Sequence, residues 1–355
     1  MLIGMLIGAL LLSANPPTFQ ITYRLALNVM ALQNSSIPSI SALSQPFNVS
    51  PSRFSIGSLS TRIGSVLLAL GMSATVALPT LAADPFRDDS SHEIGDLTEQ
   101  AFEAIFKSGD YERAGEILEA AETAEADEPL VHAMLASMAY LEGESGLDEV
   151  LKRAELTKQT AEALKETDEL RGHLYTAVGI FLEGAYLLKT EGVARATPTA
   201  LGMLQQVFTE LDAAEEIAPE DAELNLLKGY MDLMLAVNLP FSNPDEAISR
   251  MTQYGNPAYL TQRGVAIGYR DLGQYDDALT AVDKALAAAA DNPELYYLKA
   301  QLLVRQDKDS ESLEWFAKAI ELKDQLPPVL AEQILWEECH AATDGSSCSE
   351  FVGFD

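Results

Sequence analysis

The chain has 355 residues, room for two ordinary domains or one extended repeat array. Hydrophobic residues make up 48%, enough to bury a core, and the formal net charge is −31. A body this acidic repels phosphate backbones, which sets nucleic-acid binding aside, and it attracts basic or cationic partners.

The charge is not evenly spread. Residues 1–83 contain no Asp or Glu, and their only strong bases are Arg24, Arg53 and Arg62. Met1–Leu12 is apolar, and residues 33–62 are Ser-rich and acid-free. Two readings of residues 1–61 stand: an upstream extension from a start codon placed too early, or a transit-like leader. Arg62 then precedes an apolar run, Ile63–Leu78, followed by Pro79 and the small residues Ala82 and Ala83. A charged start, a greasy centre and small residues at the end are the layout of a secretory signal. Cleavage after Ala83 is expected to release a chain starting near Asp84 into a periplasm, a thylakoid-type lumen or the medium. The run is short for a hydrocarbon layer of about 30 Å, so no stable span is expected after cleavage; an uncleaved anchor is the alternative.

Residues 84–94 read as a short mature segment, 95–325 as a helical repeat and 326–355 as a capping helix with a tail. Ala, Leu and Glu dominate, all good helix formers. Lys107-Ser108-Gly109-Asp110-Tyr111-Glu112-Arg113-Ala114 reads as a turn entering a helix, and Phe102 and Ala136 lie 34 residues apart. Leu147–Leu164 is a long helix. Residues 167–190 and 197–217 form a hairpin too long for a 34-residue unit. Asp221–Asn238 is a helix with Gly229 at its small position. Asn243 is expected to cap the next helix, with Pro244 in its first turn and Asp245 and Glu246 facing the dipole. Gly264–Leu286 and Leu298–Ile320 then repeat each other: Ala266 pairs with Ala300, Ala278 with Ser312, Val282 with Phe316 and Ala285 with Ala319, each 34 apart. Gln325–Ala341 reads as a closing helix, with Pro327 and Pro328 near its start.

These spacings resemble the tetratricopeptide-repeat (TPR) family, whose helix-turn-helix unit is 34 residues long. The resemblance implies an all-α, TPR-like, right-handed superhelical solenoid of about six hairpins plus a C-terminal cap. It assigns Ala266 and Ala278 to tight helix crossings, Tyr269 to the space between helices and Gly273 to the turn. Lys228–Pro244, Gly268–Leu272 and Ala83–Arg87 are similar to a group of exported cyanobacterial TPR proteins, which implies an interaction role and no defined activity.

Family spacing places Tyr230 and Met234, then Arg263, Ile267 and Arg270, then Tyr297, Gln301 and Arg305 along a peptide-binding groove. Arg263 and Arg270 are two turns apart on one face. Two readings compete. The arginines clamp a partner's carboxylate, with Tyr297 as an apolar wall, or they pair with Asp271, Glu294 and other local acids. Met231 and Met234 offer either an adaptable apolar surface or core.

His92, His132, His173 and His340 share no i, i+4 face and no metal-ligand spacing. No Gly-rich phosphate loop or nucleophile elbow appears. No catalysis, cofactor or metal is therefore expected. A protein or peptide is the expected partner, and a small molecule or an enzyme-subunit role in the 167–217 hairpin is the alternative. Cys339 and Cys348 are the only cysteines. An oxidising compartment would pair them; two free thiols are the alternative.

Overall fold

The computed structural model describes residues 84–87, 92, 94–238, 243–343 and 348. The expectations for residues 1–83 and for the Leu239–Ser242 stretch lie outside these. Within them the chain is all-helical, with thirteen α-helices. Six hairpins follow one another: α1 (Asp96–Glu103) with α2 (Tyr111–Ala124), α3 (Pro129–Leu141) with α4 (Leu147–Leu164), α5 (Glu169–Glu191) with α6 (Val193–Ile217), α7 (Ala222–Asn238) with α8 (Pro244–Tyr254), α9 (Ala258–Asp271) with α10 (Tyr275–Ala288), and α11 (Pro293–Val304) with α12 (Asp309–Glu321). The last helix, α13 (Pro328–Ala342), lies against α12. This is a TPR-like helical repeat array. Among the described residues no helix is long and apolar enough to cross a membrane.

The hairpins form where local chemistry asks for them. Asp110, Glu128, Asp168 and Asn292 each cap a helix, their side chains accepting backbone N–H groups of the first turn. Pro129, Pro244, Pro293 and Pro328 occupy first turns, where a missing N–H costs nothing. Gly109 and Gly273 turn the chain with φ of 68° and 77°, in the left-handed region. Asn243 stands at the cap of α8 but its side chain makes no capping bond. The two acids that follow it face the helix start regardless.

Small side chains set the helix spacing. Ala114, Ala121, Ala266, Ala278, Ala285 and Ala300 are fully buried. At Gly229 a Cβ would fall 2.1 Å from the Met251 side chain, so anything larger than hydrogen at the α7–α8 crossing forces Met251 to move. Tyr269, which family spacing assigns to the space between helices, is half-buried and packs against the core. Met231 is core, not surface. The long hairpin is confirmed, with α5 at 23 residues and α6 at 25.

The array curls until its ends meet. A five-residue π-helix, Ala104–Ser108, follows α1 and delivers Gly109 to the start of α11. Asn292 is fully buried there. Its Oδ1 accepts from Glu294 N and Leu295 N at 2.9 and 3.3 Å, capping α11. Its Nδ2 donates to the carbonyls of Phe106 and Lys107 at 3.3 and 3.2 Å, at the end of the π-helix. One side chain thus caps the sixth hairpin and ties it to the first. A Cβ on Gly109 would lie 2.8 Å from Pro293 Cδ, so the seam closes only on glycine.

Charges also brace the middle of the array. Lys228 on α7 reaches Asp212 and Glu215 on α6, and Arg250 on α8 reaches Glu215. Asp232, one turn beyond Lys228, is mostly buried, and that burial pushes its carboxyl up to about 6. Its acid form is favoured by the fold, so ionisation weakens the fold as pH rises from about 4 through about 6. Asp232→Asn is therefore expected to raise stability at pH 8 by about 1–2 kcal/mol and to leave it unchanged at pH 4, read from urea melts at both pH values.

Candidate functional site

The groove residues expected from spacing are partly brought together. Arg263, Ile267 and Arg270 on α9 and Glu294, Tyr297, Leu298 and Gln301 on α11 line one cavity of about 20 Å³. That is room for one water, not for an organic ligand. Tyr230 stands apart: it is buried between α7 and α9, its hydroxyl donating to the Leu260 carbonyl at 2.9 Å. Met234 packs at the edge of the core, and Arg305 is exposed at the end of α11, outside the cavity.

The cations in the cavity already have anions. Both Nη atoms of Arg263 donate to the two oxygens of Glu294, at 2.8 and 2.9 Å. Tyr111 Oη, from the first hairpin, donates to the same carboxylate at 3.2 Å. Burial disfavours the Arg263 charge, but Glu294 more than offsets this and holds the proton on. Arg270 donates to Asp271 at 2.9 Å and to Gln301 at 3.2 Å. Gln301 passes its own amide protons to Glu337 on α13, which also accepts from Tyr297 Oη at 2.6 Å and from Gln333. Burial and the Glu337 charge push the Tyr297 phenol well up. The pairing of the arginines with Glu294 and Asp271 is therefore the arrangement found. Glu337 and Gln333 leave no mark in the repeat spacing, since nothing in it points from the cap back to α11.

A second polar cluster lies where the first helices of successive hairpins begin. Glu128 caps α3, Asp168 caps α5, and Asp221 accepts from Leu224 N at the start of α7. Arg171 is 1% exposed and forks onto Glu128 at 3.1 and 2.7 Å. Its guanidinium lies over the Tyr175 ring, and Tyr175 Oη donates to Glu223 at 2.5 Å. Burial pushes the Glu223 carboxyl up, against the pull of Arg87 and Arg171.

The N-terminal segment runs along this row. Arg87 donates to both oxygens of Asp221, at 2.6 and 2.9 Å, to Glu223 at 3.2 Å and to Asp84 at 2.7 Å. His92 pairs with Asp168. Asn256, just before α9, donates to the Phe86 carbonyl at 3.0 Å. Residues 84–87, together with His92, thus pack as part of the array, with Phe86 edge-on to Phe102. No sequence periodicity marks this segment as folded.

Among the described residues no group of three or more His, Cys, Asp or Glu is placed to hold a metal. Cys339 and Cys348 are joined by a disulfide with an S–S distance of 2.08 Å.

Helix-turn-helix units of α9–α12 carry the small residues, the turn glycine and the 34-residue spacing noted above. Residues 266–327 match the tetratricopeptide repeat (TPR_16). The TPR match spans the C-terminal part of α9, all of α10, α11 and α12, and the approach to α13, so it contains most of the cavity's lining, though not Arg263. No curated protein matches the chain.

Proposed function

We propose that this protein is an exported, non-catalytic scaffold whose TPR-like array binds segments of other proteins. The observation that carries the reading is the TPR match over 266–327, coincident with the hairpins that bear Arg263, Ile267, Arg270, Tyr297 and Gln301. The TPR unit is an interaction module, and its extended surfaces suit peptides better than a cavity the size of one water suits a metabolite. The secretory layout of Arg62–Ala83 supports export, and the similarity to exported cyanobacterial TPR proteins supports a periplasm or lumen as destination. A partner carboxylate reaches Arg270 by displacing Asp271, its neighbour in sequence.

Affinity capture from a native envelope fraction, read by mass spectrometry, tests this. The wild-type chain is expected to recover a reproducible protein partner, and Arg270→Ala is expected to lower that recovery at least ten-fold. Recovery of no protein by a folded wild-type chain would sink the scaffold reading. Unchanged recovery by Arg270→Ala would sink the groove assignment alone.

A further inference from the structure

We propose that the acid-lined notch at the start of α7 is a peptide site for an aromatic–arginine pair, held in cis by the chain's own Phe86–Arg87. The proposal rests on the scaffold reading only in that its competitor is a segment of another protein.

The segment has the form of a ligand. Asp84–Arg87 closes on itself, with Arg87 N donating to the Asp84 carbonyl at 3.2 Å and Phe86 N to Asp84 Oδ1 at 2.8 Å. It is a compact turn held by its own bonds. The array then reads it in three separate ways. Phe102 receives the Phe86 ring at 5.0 Å between centroids. Asn256 recognises the backbone through the Phe86 carbonyl. Asp221 takes the guanidinium in a two-pronged fork, with Glu223 beside it. A planar fork, a ring pocket and a main-chain contact together recognise a Phe-Arg pair; a lysine would supply only a point charge.

Subtracting the segment shows what the notch requires. Asp84 and Arg87 leave together, so the net charge of the cluster is unchanged, but Asp221 and Glu223 lose the Arg87 guanidinium. Arg171 then faces Glu128 and Glu223, and Asp221 has no cation in this cluster. A buried carboxylate that loses its guanidinium is costly until another takes its place. Glu223 sits in the first turn of α7 and Asp221 just before it, where the helix dipole favours negative charge.

The fit in cis is also imperfect at one atom. Arg171 Nε has no hydrogen-bond partner, although the side chain is fully buried; it stands 3.9 Å from Glu223. A buried donor left unpaired calls for an explanation. A segment that brings a carbonyl to this atom gains a contact the resident lacks. The tether gives the resident an effective concentration in the millimolar range, so a free competitor must bring contacts beyond the pair itself. The notch is therefore guarded: its apparent affinity is reduced by the fraction of chains in which the segment is out.

The probe is a fluorescent peptide of sequence Asp-Pro-Phe-Arg-Asp-Asp, titrated against the full chain by anisotropy. The Phe86→Ala/Arg87→Ala variant is expected to bind it at least ten-fold more tightly than wild type does. Arg87→Gln alone, which keeps the Phe86 anchor, is expected to move in the same direction. Adding Asp221→Asn to either variant, or replacing Arg by Gln in the peptide, is expected to cost ten-fold or more. A helical Arg87→Gln variant that takes no peptide would overturn the proposal. So would loss of helical signal in that variant, which would make the segment an irremovable part of the core. Either result leaves the scaffold reading intact if capture of a partner through Arg270 persists. Peptide binding without any captured partner would separate the two the other way.

Discussion

Asn292→Ala is expected to unfasten the first hairpin from the sixth and to lower stability by about 2–4 kcal/mol, one of the two largest losses from any single substitution considered. The side chain serves four backbone groups at once: two N–H groups of α11 and two carbonyls of the π-helix. Removing it leaves the carbonyls of Phe106 and Lys107 without this donor. Asn292→Asp separates the two roles. A carboxylate still accepts from Glu294 N and Leu295 N, but it cannot donate across the seam and sets a negative charge against two carbonyls. Asn292→Asp should therefore keep α11 intact yet open the closure. Hydrogen exchange checks this: protection over 104–111 is lost in both variants, and protection at the start of α11 is lost only in Asn292→Ala. Retained protection over 104–111 in Asn292→Asp would show that the apolar seam closes without the amide.

The second large effect is at Arg171. Its charge sits 1% exposed between Glu128, which it engages through both Nη atoms, and Glu223 at 3.9 Å. Arg171→Ala leaves those carboxylates buried with one guanidinium fewer, and breaking a buried pair in this way costs about 3–5 kcal/mol. Removing both partners should cost less than the sum. Arg171→Met with Glu128→Gln replaces charge by shape, and the coupling read from a double-mutant cycle of urea melts should be about 1–3 kcal/mol. Additive losses would show that Arg171 and Glu128 stabilise the fold independently.

The features legible in the sequence are the local ones. Proline in first turns, glycine at 109 and 273 and alanine at helix crossings all act within one or two turns of themselves, so a 34-residue comparison finds them. The hairpin count and the overlong α5–α6 pair follow from the same ruler. The pairing of Arg263 with Glu294 is legible too, because corresponding faces of adjacent repeats bring them close. The network from Arg270 through Gln301 to Glu337 is not. It depends on how the cap turns back, and Glu337 belongs to no repeat. The folding of Asp84–Arg87 and the meeting of hairpins one and six leave no periodic trace either. They join residues more than 130 and 180 positions apart.

The meeting of the ends changes how such a chain acquires its structure. An open stack of repeats gains stability from neighbour to neighbour, can begin anywhere and frays from its ends. Here the bond between Asn292 and Phe106 spans 186 positions, so the loop must close over most of the array before that contact contributes anything. Non-local pairing of this kind slows folding relative to helical proteins held by local contacts. The first hairpin also leaves the ribosome well before the sixth exists, and its seam-facing residues (Phe106, Gly109 and Tyr111 among them) wait uncovered through the synthesis of every repeat between.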